Sequence, residues 1–150
     1  MTALNMNMAQ AAVLSYPCQP RVFERLIERS AILHNVLITD DRLASRKGLR
    51  ALMLTQPDIQ VVGEATNGQQ AIQFIEENKP DVVIMDAFMP KMNGLEATRI
   101  IKKRWKKIRV IILTLHEGIR EEAIAAGADA FLVKGCSPDE IFQEIKNLRR

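Results

Sequence analysis

From about residue 35 onward the chain alternates short apolar, mostly β-branched runs with segments of helical periodicity. The runs are NVLITD, IQVVGEA, DVVIMD, RVIILT and AFLVK. Between them apolar residues recur at helical spacing, as with Leu49, Leu52 and Met53 in the first interval and Ile141, Ile145 and Leu148 in the last. The pattern predicts five strand-then-helix units. Three helix starts carry capping chemistry: Asn67 with Gln70, Asn93 with Glu96, and Ser137-Pro138 with Glu140, each an N-cap oxygen followed three residues on by a side chain able to reach back. Strands that are apolar at nearly every position are covered on both faces. Alternating βα units of that kind build an α/β fold, a doubly wound parallel sheet between two helical layers.

Residues 1–34 stand outside the alternation and form an N-terminal extension to a domain spanning 35–150. The part before Pro20 reads as loosely ordered. RVFERLIERSAIL places Val22, Phe23, Leu26, Ile27 and Leu33 on one side of an amphipathic helix at about 20–33, suited to packing on the domain or, less commonly, to a homodimer or partner contact.

Composition narrows the class without changing that picture. A chain of 150 residues, 47% hydrophobic and 26% charged, has the make-up of one globular domain. Its apolar runs are too short to span a bilayer and its first residues lack the cationic start of a secretory signal, so the expected location is cytoplasmic, with no membrane partner. Two cysteines, Cys18 and Cys136, far apart and without a histidine cluster, argue against a disulfide framework or a zinc site. The net charge of +3 is too small to imply direct nucleic-acid binding. Seven cations do crowd between Arg99 and Arg109, where a solvated helix face is the ordinary explanation; Trp105 among them is expected to pack its ring on the domain beneath lysine stems.

Chemistry enters at the strand ends. In an open doubly wound sheet the functional crevice lies beyond the carboxyl ends of the strands, where connections diverge to opposite faces. The first strand ends on Asp40 and Asp41 and the third on Asp86. If these strands are neighbours, three carboxylates crowd one pocket, a repulsion that a hard divalent cation such as Mg2+ relieves by taking their oxygens as ligands. Thr114 closes the fourth strand and Lys134 the fifth, supplying a hydroxyl and an ammonium of the kind phosphoryl chemistry uses. Singly, each residue is more often a turn former, a β-former or a solvated lysine. Their arrival together at four strand ends is the informative feature.

With those motifs in order, residues 35–150 resemble a response-regulator receiver domain of two-component signalling. LITDD resembles the family's acidic pair, DVVIMDAFMPKMNG its phosphoacceptor segment, IILT its switch hydroxyl and GADAFLVK its switch aromatic and lysine. The resemblance implies a flavodoxin-like (βα)5 fold with strand order 2-1-3-4-5. It implies that Asp86 accepts a phosphoryl group from a histidine kinase or phosphotransfer protein, with Mg2+ held by Asp40, Asp41, Asp86 and the Phe88 carbonyl. Lys134 then pairs with Asp86, Thr114 turns inward to the phosphoryl group, and Phe131 rotates into the vacated space to alter contacts with a downstream protein partner. Such a domain is no enzyme beyond its own phosphorylation and dephosphorylation.

Several features depart from the family's pattern. Gly135 stands where many receivers have proline, so a trans peptide is expected after Lys134. The interval from Thr114 to Lys134 is short, which trims the start of the fourth helix. Phe131 lacks the hydroxyl of the commoner tyrosine. By family geometry Phe88 and His116 flank the water that hydrolyses the acyl phosphate, and Phe88 can neither donate to it nor accept from it, so slow self-dephosphorylation is expected. TLHE and KGCSPDE also resemble receivers joined to helix-turn-helix domains, which keeps a second reading open: the receiver portion of a DNA-binding regulator. A haloacid-dehalogenase-like phosphatase fits poorly, because Asp86-Ala87-Phe88 lacks that family's second aspartate.

Overall fold

A computed structural model describes residues 32–147. The chain divides into two units, residues 1–33 and 34–150. The expected helix at about 20–33 lies, but for its last two positions, outside the described residues.

The five expected strands are β1 (His34–Thr39), β2 (Ile59–Ala65), β3 (Val82–Met85), β4 (Arg109–Thr114) and β5 (Ala130–Val133). They pair in parallel in the order 2-1-3-4-5, as the resemblance implies. Helices α1 (Leu43–Met53), α2 (Gly68–Asn78), α3 (Gly94–Arg104), α4 (Arg120–Ala125) and α5 (Pro138–Lys146) connect and follow them. The strand pleat sorts the core into two halves. Leu37, Val83, Met85, Val110 and Ile112 face one way, against Ala71, Ile75, Ala97 and Ile101 of α2 and α3 and Ala123 of α4. Val36, Ile38, Ile84, Ile111 and Leu113 face the other way, against Met53 of α1 and Ile141, Phe142 and Ile145 of α5. Full coverage holds for the central strand β3 and nearly so for β1 and β4, whereas the edge strands β2 and β5 are part-exposed along their length. The expectation of covered strands therefore applies to the centre of the sheet.

Of the three capping signals, one forms a full reciprocal box. Ser137 Oγ accepts from the Glu140 amide at 3.3 Å, and Glu140 Oε2 accepts from the Ser137 amide at 2.8 Å. Asn67 and Asn93 each accept from the amide three residues on, both at 2.9 Å. Gln70, however, reaches back one residue too far, to the Thr66 amide. Helix α4 has only six residues and follows a 3-10 turn at Glu117–Ile119, in line with the short interval noted in the sequence. The Lys134–Gly135 peptide is trans.

Within the basic run the residues take different parts. Trp105 packs on the core, with the Arg104 guanidinium 5.8 Å from its ring centroid. Lys102 is no solvated cation. Its ammonium donates to the carbonyls of Lys106 and Ile108 and to Asp129 Oδ2 at 2.9 Å, and the same carboxylate oxygen accepts from the Val110 amide at 2.8 Å. This clamp ties the exit of α3 and the start of β4 to the turn before β5. Asp129→Ala leaves an amide and an ammonium short of their acceptor, so a loss of about 2 kcal/mol is expected. Urea unfolding checks it: the midpoint should fall with the slope unchanged.

Candidate functional site

The carboxyl ends of the strands are extended by one hydrogen bond each beyond the regular ladder. The Asp40 amide donates to the Ala65 carbonyl at 3.1 Å, the Asp86 amide to the Thr39 carbonyl at 2.9 Å, and the Lys134 amide to the Thr114 carbonyl at 2.8 Å. These bonds fix the backbone from which three of the expected site side chains rise. Each of the three residues lies one position past its strand, a small shift from the sequence reading, which ended the strands on them. The chain reverses direction across the sheet between β1 and β3, whose following helices lie on opposite faces, so Asp40 and Asp86 meet at that switch point.

Asp40, Asp41 and Asp86 each present a carboxylate oxygen within 4.8 Å of the others. Asp40 and Asp86 are buried and Asp41 is exposed. Lys134 lies between the two buried acids, its ammonium 2.6 Å from Asp40 Oδ2 and 3.0 Å from Asp86 Oδ2. Burial alone would lower the Lys134 pKa; the hydrogen bonds and charges of Asp40 and Asp86 outweigh it, and the pKa is raised above its ordinary value. The other oxygen of Asp40 accepts from the Arg42 amide at 2.8 Å. Both oxygens of Asp40 are therefore engaged, whereas Asp86 Oδ1 and both oxygens of Asp41 have no hydrogen-bond donor among the described residues. The donor set of three carboxylates suits a hard dication such as Mg2+.

Above these acids opens a pocket of about 90 Å³ lined by Asp41, Arg42, Asp86, Phe88, Leu115, His116 and Lys134. Phe88 is half-exposed and stands edge-on to His116, with ring centroids 4.6 Å apart and planes at 78°. The two residues expected to flank a hydrolytic water thus touch each other at the pocket mouth. The loop bearing Phe88 is braced at both ends. Gly94 donates to the Ala87 carbonyl at 2.8 Å, and Gly68 donates to the Met92 carbonyl at 2.9 Å. Between them the Met92 amide donates to the Pro90 carbonyl at 2.8 Å across Lys91, whose φ of 67° makes a γ-turn that a side chain tolerates only at some cost. At Gly94 a Cβ would overlap the Asp86 carbonyl oxygen, so glycine is required for the loop to close under Asp86.

Not every predicted site residue reaches the pocket. Thr114 is fully buried, and its hydroxyl accepts from the His116 amide at 3.4 Å. Phe131 is also buried, within the half of the core that α2, α3 and α4 cover, and the Arg120 guanidinium lies 4.8 Å from its ring centroid. In this structure both residues are inside together. Sequence reasoning missed Arg42 and Leu115 as lining residues, and also Arg46, whose Nη1 donates to the Asp40 carbonyl at 2.8 Å. Arg42 was readable as the residue immediately after the acidic pair. Arg46, one helical turn further, was readable as the next cation on that side of α1.

This geometry can be set beside known proteins. A model of the response regulator receiver domain matches residues 36–146. The chain belongs to that family. The uncharacterized transcriptional regulatory protein YhcZ of Bacillus subtilis is 41% identical over 108 residues, covering 71% of this chain and 50% of that protein. The receiver is similar in structure to a LuxR-family DNA-binding response regulator from Staphylococcus aureus, at 33% identity and a TM-score of 0.73, covering 77% of this chain and 98% of that one. It is also similar to a chain of the CheX-CheY-BeF3-Mg2+ complex from Borrelia burgdorferi, at 27% identity and a TM-score of 0.70, covering 78% of this chain and 90% of that one. The chain spans about half the length of the curated relatives it matches. Among the described residues no helix of the receiver is long and apolar enough to cross a membrane.

Proposed function

We propose that this receiver takes a phosphoryl group on Asp86 from the phosphohistidine of a kinase or phosphotransfer protein in the cytoplasm, and that the change alters its contacts with a downstream protein. One observation carries the reading: Asp86 faces an open pocket with Oδ2 tied to Lys134 at 3.0 Å and Oδ1 without a donor among the described residues. Oδ1 attacks phosphorus and forms the new O–P bond. The donor's P–N bond breaks, and the imidazole leaves with the electron pair and takes a proton from water. Asp40 holds Lys134 and the Arg42 amide, so the ammonium stays at hand for the phosphoryl oxygens. Asp40, Asp41, Asp86 and the Phe88 carbonyl are the groups that would hold Mg2+, which when bound supplies charge neutralisation between the carboxylates and the incoming phosphoryl group. Thr114 lies one backbone hydrogen bond from Lys134 and serves as the hydroxyl that answers phosphorylation, passing the change to Phe131 and the Arg120 end of α4.

The test is direct labelling. With acetyl phosphate and Mg2+, peptide mapping by mass spectrometry should find one acyl phosphate, on Asp86. Label on another residue of a folded protein overturns the assignment.

The paired rings of Phe88 and His116 set the lifetime of that phosphate in the same reading. An apolar ring occupying the approach to phosphorus leaves one hydrogen-bonding side chain to orient water. Phe88→Asn should speed phosphate loss about tenfold, equal to about 1.4 kcal/mol of barrier. Decay of labelled protein after donor removal, at constant Mg2+, measures it; unchanged or slower decay sinks the blocking role.

A further inference from the structure

We propose that Arg42 selects the phosphodonor by charge, meeting the oxygens of a dianionic donor at the pocket mouth. The proposal rests on Asp86 being the phosphoacceptor. Lys134 is largely buried and bonded to two carboxylates at the acceptor itself. Arg42 lines the same pocket, is exposed, and has no carboxylate of the described residues within ion-pairing distance. Its backbone is nevertheless fixed: it caps α1 in an extended conformation, and its amide is bound to Asp40 Oδ1 at 2.8 Å. The guanidinium therefore swings on a rigid base beside Asp41 and Asp86. A planar fork of donors matches phosphoryl oxygens two at a time, and the apolar part of the lining, Phe88 and Leu115, adds no charge of its own.

The charge balance makes the effect specific. Three carboxylates set against Lys134, Arg42 and Arg46, whose guanidinium is bonded to the Asp40 carbonyl, leave the site with no net charge. A bound dication brings this to two positive charges, and without Arg42 the loaded site would carry one. Arg42 thus supplies half of the surplus that draws a donor dianion inward. A donor of lower charge feels proportionately less of it.

Two small donors separate the cases. At neutral pH acetyl phosphate is a dianion, while phosphoramidate carries its ammonium-like nitrogen and is a net monoanion. Arg42→Gln should lower the second-order labelling rate with acetyl phosphate about fivefold at low salt, and with phosphoramidate only about twofold. The wild-type rate with acetyl phosphate should fall as salt is added, and the variant should respond less. Arg42→Lys, which keeps the charge, should restore most of the rate with both donors. A purely structural role for Arg42 would slow both donors equally and leave the salt response intact, and either that result or no change in rate overturns the proposal. Wild-type protein that takes no label on Asp86 overturns both this inference and the acceptor assignment beneath it. Labelled wild type with unaltered selectivity in Arg42→Gln overturns this inference alone.

Discussion

Asp86→Asn should abolish phosphoryl transfer to the receiver, with the labelling rate from acetyl phosphate falling at least about a thousandfold, equal to about 4 kcal/mol of barrier. The substitution is close to isosteric. The amide that fixes this position, donating to the Thr39 carbonyl, belongs to the backbone and stays in place. What disappears is the charge. A carboxamide oxygen is a poor nucleophile and a weaker ligand for a dication, so in the proposed reading both the attacking atom and one arm of the metal site are lost together. Asp41→Asn separates these two losses, because it leaves the Asp86 nucleophile and its Lys134 partner intact. That variant should label slowly and lose its dependence on added Mg2+. Label persisting in Asp86→Asn at the wild-type rate would sink the acceptor assignment.

The sequence disclosed the parts of the site that sit at strand ends. Runs such as DVVIMD and RVIILT are apolar at every position between their polar ends because the central strands are covered on both faces, so the residue that breaks the run is visible as a polar terminus. The strand order then brings Asp40 and Asp86 together without further information. Legibility failed where a side chain's partner depends on how far separate segments converge. Lys134 was expected on Asp86, but its shorter bond is to Asp40, from which it is 94 residues distant. The Lys102–Asp129 clamp was hidden for the same reason: within the run of cations nothing in the sequence distinguishes Lys102 from Lys103, and only the packing of α3 against the turn before β5 does. Capping failed more narrowly. Three residues of spacing fix who can reach whom, yet the chain's direction on entering α2 lets Gln70 bond Thr66 and leave the Asn67 amide alone.

Lys134→Ala should cost about 3 kcal/mol of stability in the absence of divalent cations, because it strands two buried carboxylates that share one ammonium. The open pocket above them lets in water, which places the expected cost at the low end for a broken buried pair. Mg2+ should narrow the gap between variant and wild type. The variant's three carboxylates lack a resident cation, so ligand-linked stabilisation is larger for it, and its unfolding midpoint should climb further as Mg2+ is added. The pH dependence has a definite sign. The Lys134 pKa in the folded protein is raised above its ordinary 10.5, so its contribution is fully present below about that value and is lost as pH rises through the higher, folded one. The stability difference between wild type and Lys134→Ala should therefore be flat through neutral and mildly alkaline pH and shrink only above about 10.5. Urea titrations of both proteins, metal-free across that range and with Mg2+ at neutral pH, measure each effect. Equal midpoints without metal, or equal responses to Mg2+, would show that the ammonium does not hold the two acids together.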